Sequence, residues 1–141
     1  MRPSLFRRLL PLAALCLLLS ACGGKAATPF DPAATAQALQ DSGAFSEPLE
    51  SISQDLACGT LYAIDSADVT GCAVYTTPTA GAEEIAVFTL VDEDAAKSAL
   101  DALTQRVADQ KEALENYQPD EVSKLDNAIL EQRGNSVLLA V

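Results

Sequence analysis

The side chains able to do chemistry in this sequence are four cysteines and 20 carboxylates, with no histidine at all. Without an imidazole there is no Ser-His-Asp or Cys-His catalysis and no His-based metal site. Tryptophan is absent and aromatics make up 5% of the chain, which argues against a sugar-stacking platform or an aromatic cage. Two facing carboxylates could serve as acid and base for hydrolysis, but no pair is singled out by its surroundings. Glu83-Glu84 reads as solvated charge beside a strand. Asp92-Glu93-Asp94 lacks the alternating ligands and the glycine of a calcium loop, and reads as charge favoured at a helix N-terminus. Lys97, Lys111 and Lys124 read as helix-surface charges, with no Ser-Lys motif around them. On residue types and spacing, no residue is assigned as catalytic, cofactor-binding or metal-ligating.

The cysteines carry more. Arg2, Arg7 and Arg8 precede the apolar run Leu9–Leu19, which ends in Leu19-Ser20-Ala21-Cys22. A positive flank, a short apolar core and small residues before a cut are the parts of a secretory signal. The run contains Pro11 and is shorter than the ~20 apolar residues of a membrane span. The tetrapeptide resembles the bacterial lipobox. That resemblance implies a diacylglyceryl thioether on Cys22, cleavage between Ala21 and Cys22, removal of residues 1–21, and a chain held at the outer face of the cell membrane. Each buried methylene contributes about 0.8 kcal/mol, and two acyl chains anchor where one binds only transiently. Cys16 falls in the discarded segment. Cys58 and Cys72 remain. Outside the cytoplasm they could form a disulfide, whose loop of roughly 15 residues would contribute about 3 kcal/mol. The alternative is two buried free thiols, which suits the neighbours Leu56, Ala57, Ala73 and Val74. Their spacing is not that of a C-x-x-C redox motif.

Of the basic residues only Lys25, Lys97, Arg106, Lys111, Lys124 and Arg133 follow Cys22, against all 20 acidic ones. Such a surface repels phosphate backbones. With no basic stripe, the sequence excludes nucleic-acid binding. Residues 22–30 (CGGKAATPF) form a short tether, and residues 31–141 are one domain's worth of chain.

The elements that must position these groups follow in order. Asp31-Pro32 is a helix start and Gly43 a helix stop, which predicts a short N-terminal helix at the edge of the fold. Leu49, Ile52 and Leu56 have helical spacing, so Pro48–Ile64 reads as loose helical turns ending near Tyr62. Val69–Thr77 and Glu84–Val91 read as strands around a Pro78–Ala82 turn. The acidic start at residues 92–94 opens a long helix to about Tyr117, with a stripe of Ala96, Leu100, Leu103, Val107, Gln110, Leu114 and Tyr117. Lys97–Asp101 and Lys111–Glu115 are spaced for i,i+4 pairs on its outer face. A brief turn follows Pro119, then a hairpin in which Gly134-Asn135 supplies positive φ. The expected fold is α+β: a four-stranded antiparallel sheet of two hairpins, covered by one long helix, with a short N-terminal helix.

Several spaced motifs also resemble one family. They are Leu61-Tyr62-Ala63-Ile64-Asp65, Val74-Tyr75, Glu83-Glu84-Ile85-Ala86-Val87-Phe88 with the acidic helix start, Tyr117-Gln118-Pro119 with Glu121-Val122, and the Gly134-Asn135 hairpin. Over residues 31–141 the chain is similar to the Gram-positive lipoprotein family of domain of unknown function 4358. The resemblance implies a lipoprotein of a Gram-positive envelope; it brings no activity, cofactor or catalytic residue. The expectation is a monomeric, non-catalytic binding module, membrane-tethered through Cys22 and contacting an envelope protein or a cationic ligand. The other readings are a small hydrolase using paired carboxylates and a purely structural envelope lipoprotein.

Overall fold

A computed structural model of the chain describes residues 27–141. The strands are β1 (Glu50–Ile52), β2 (Val69–Thr76), β3 (Glu84–Leu90), β4 (Ile129–Arg133) and β5 (Ser136–Ala140). They form one antiparallel sheet in the order β1-β2-β3-β5-β4. The helices are α1 (Pro32–Asp41), α2 (Gln54–Leu56, continued by a π-helical segment at Ala57–Tyr62), α3 (Glu93–Leu114) and α4 (Pro119–Asp126). The α+β class and both hairpins agree with the sequence; the sheet has five strands rather than four.

The fifth strand is β1. Leu49 and Ile52 have helical spacing, yet they point to opposite faces of the sheet: Leu49 packs with the cluster under α1, Ile52 with the cluster under α3. Glu50, Ser51 and Ile52 pair with Thr76, Tyr75 and Val74. The exposed ladder of β2 offers these residues main-chain partners, and three residues of helix periodicity do not compete with that.

Strand alternation divides the core in two. Ala86, Phe88 and Leu90 of β3 and Val137 and Leu139 of β5 face α3, where they meet Ala96, Ala99, Leu103, Val107 and Leu114. Ile85, Val87 and Leu138 face the other way and are covered by α1 through Ala36 and by Phe30. The N-terminal helix therefore covers the second face of the sheet, not its edge. Its start is capped as expected, with Asp31 Oδ1 accepting from the Ala34 N–H at 2.8 Å, and Gly43 takes φ +73° just past its end.

Phe30 also shortens the expected tether. Its ring is buried, its N–H donates to Ser136 Oγ at 2.8 Å, and the Arg133 guanidinium lies 4.4 Å from its ring centroid. The long helix ends three residues early, at Leu114, and Tyr117 beyond it is 70% exposed. Lys111 does not use Glu115. It reaches Asp126 of α4 at 2.7 Å, so its pairing links two helices instead of decorating one. The segment after Pro119 is a two-turn helix. In the last hairpin only Gly134 has positive φ, as in turns that require it at the first central residue alone.

Candidate binding site

Glu83 and Glu84, adjacent in sequence, are the two most buried acids among the described residues, at 6% and 2% exposure. The expectation of solvated charge is overturned. They sit where β3 begins, so alternation sends their side chains to opposite sides of the sheet.

Glu84 turns towards α3. Its Oε1 accepts from the Tyr62 hydroxyl at 2.7 Å and its Oε2 from Arg106 Nη2 at 2.9 Å. The Gln110 amide lies against the same pair; with its oxygen turned to the guanidinium it accepts from Arg106 Nε at 3.2 Å. Burial, then the charge and hydrogen bond of Glu84, push the Tyr62 phenol far up, so it stays a donor. The Tyr62 ring meets Phe88 edge-on at 5.7 Å between centroids. The π-helical segment sets Tyr62 at this depth, and Ala63 closes it with φ +52°.

Glu83 turns the other way. Both its oxygens accept from the Ser46 N–H, at 2.9 and 3.0 Å, and Lys124 Nζ of α4 reaches Oε1 at 3.2 Å. Lys124 also pairs with Glu121 at 2.8 Å, and Glu121 Oε2 accepts from the Ala82 N–H at 2.8 Å. One ionic cluster thus ties the loop after α1, the β2–β3 turn and α4. Burial raises the Glu83 pKa, but the Ser46 and Lys124 contacts outweigh it and hold the carboxyl below its usual range. The hydrogen bond to Lys124, then that from Ala82, lowers Glu121. The hydrogen bond to Glu121 raises Lys124 despite its partial burial. Each buried acid therefore has its own cation, and the two do not face a shared cleft.

Above Glu83 lies a half-open groove of about 390 Å³. Leu39, Ala44, Phe45, Ile129, Ala140 and Val141 wall it, and Glu83, Lys124 and Asn127 supply its polar groups. Ile129, 53% exposed, is the first residue of β4, an outer strand of the sheet. Mostly apolar walls with a few convergent polar groups are the features of a ligand-binding surface. Phe45 also lines a second groove of about 390 Å³, with Gln40, Ser46, Glu47, Pro48 and Leu49.

The residues singled out from sequence lie elsewhere. Cys22 and its cleavage site are outside the described residues. Cys58 and Cys72 are both free thiols, the first buried and the second half-buried. Asp92 Oδ1 accepts from the Ala95 N–H at 2.8 Å as the N-cap of α3, while Glu93 and Asp94 are exposed. One signal could have exposed the buried acids. Arg106 and Gln110 are polar residues on or beside the apolar stripe of α3, and a polar group in a packed stripe implies a buried partner.

Comparison with curated proteins and with solved structures gives no match. A family model described as domain of unknown function does match, over residues 44–141, a span that takes in every strand and α2 to α4 but begins after α1. The chain belongs to this family, DUF4358.

Proposed function

We propose that the chain is a non-catalytic binding module of a Gram-positive cell envelope, held at the outer membrane face by a diacylglyceryl thioether on Cys22. The groove between Phe45 and Ile129 receives an apolar side chain from an envelope protein, in a segment flanked by Lys or Arg. The observation that carries this reading is the groove itself, set in a domain with 20 acidic residues. Its apolar walls favour burial of an aliphatic or aromatic side chain, and the anionic surroundings steer a cationic segment towards it. The lipobox sequence and the short tether support the location. The separate pairing of Glu83 with Lys124 and of Glu84 with Arg106 supports a non-catalytic role, since neither carboxylate is left to act as a base.

A photoreactive amino acid at Ile129, activated in intact cells, tests the proposal. The crosslinked peptide is expected to be an envelope protein segment with an apolar residue between basic ones. Its yield should fall as salt rises, and Phe45→Asp should abolish it. An acidic or variable set of crosslinked peptides, or capture unchanged in Phe45→Asp, would refute the reading.

A further inference from the structure

Cys58 and Cys72 lie on different elements but in one packed cluster. Cys58, 2% exposed, belongs to the core under α3, and Cys72 of β2 packs against that same core. The Cys72 thiol is directed at the helical segment, its Sγ donating to Gln54 Oε1 at 3.7 Å. Gln54 and Cys58 are four residues apart, one turn along the same face. The side chain that Cys72 touches therefore stands one turn from Cys58. Among the described residues these are the only thiols. We infer that Cys58 and Cys72 are the two halves of a reversible intramolecular disulfide that pins the π-helical segment to β2.

The order of events follows from access. Cys72 is half-buried and Cys58 is enclosed, so a small disulfide such as oxidised glutathione meets Cys72 first. The Cys72 thiolate attacks one sulfur of the small disulfide and displaces the other as a thiolate, leaving a mixed disulfide on Cys72. The Cys58 thiolate then attacks the Cys72 sulfur and expels the second small thiolate. In sum, two protein thiols lose two electrons and two protons, and one small disulfide becomes two small thiols. Burial raises both thiols, and for Cys58 the neighbouring Cys72 charge adds to it. Only a small fraction is thiolate at neutral pH, so the rate should climb about tenfold per pH unit there.

The test treats the purified full chain with oxidised glutathione and alkylates it without reductant. Peptide mapping then follows Cys58 and Cys72. The expected result is protection of both from alkylation and a linked Cys58–Cys72 peptide that disappears with dithiothreitol. The oxidised chain should melt higher by about 10 °C. In Cys58→Ser the reaction should stop at the glutathione adduct on Cys72. Alkylation of both cysteines after oxidation, an adduct persisting on Cys72 in the unsubstituted chain, or a linkage between two chains would each overturn the proposal.

Discussion

Replacing Arg106 with Met keeps an aliphatic stem and removes the one cation that, among the described residues, bonds to Glu84. The Glu84 side chain is 3% exposed and that of Arg106 24% exposed, with 2.9 Å between carboxylate oxygen and guanidinium nitrogen. Breaking a buried ion pair from one side costs about 3–5 kcal/mol, because the remaining charge is desolvated without compensation. Arg106 stands at the rim, and water can replace part of what it supplied. The expected loss is therefore at the low end, about 3 kcal/mol, or a fall of roughly 10 °C in Tm for a domain of this size. The second variant adds Glu84→Gln. The amide oxygen still accepts from Tyr62, the charge is gone, and about 1–2 kcal/mol should return. Urea denaturation of the two variants and the parent, compared at constant m, measures both numbers. If Arg106→Met lies within about 0.5 kcal/mol of the parent, or the double variant is no more stable than the single, the buried-charge argument fails.

Three further outcomes are expected. Glu83 and Glu121 are held below the ordinary carboxylate value of 4.5, so their contribution is present above it and is lost as pH falls through their lower folded values. Acid titration of stability should show this loss below about pH 4.5, and Lys124→Met should flatten that limb. Gly134→Ala puts a side chain at φ +54°, with its Cβ in ordinary contact, 3.5 Å from Pro29 Cγ. The cost should be backbone strain alone, about 1 kcal/mol, and a loss above about 3 kcal/mol in thermal melting would mean that the hairpin has been displaced. Cys22→Ala should move the chain from the membrane fraction to the soluble fraction of lysed cells, and retention in the membrane fraction would refute the lipid anchor.

Much of the fold was legible in local sequence. Asp31-Pro32 and Gly43 bound α1, Asp92 starts α3, and the apolar runs of β2, β3 and β5 form strands where they were expected. Each of these signals is carried by a residue's own backbone preference or by a period of two or 3.6 along the chain. The candidate site was not legible in the same way. Glu83-Glu84 has no periodic signature, and its meaning depends on Tyr62, Arg106, Lys124 and the Ser46 N–H, which lie 22 to 41 residues away.

Neighbouring residues alone carry the capped helices, four of the five strands, the acidic balance and the lipobox-like Leu19-Ser20-Ala21-Cys22. Only the tertiary structure decided that Glu50–Ile52 is a strand, that α1 covers the second face and that Glu83 and Glu84 are buried. It also decided that Phe45 and Ile129 wall one groove. The reason is physical. A strand needs a partner ladder, and a buried charge needs a cation at hydrogen-bond distance. Both requirements are met by residues far apart in the chain, so no local stretch could announce them.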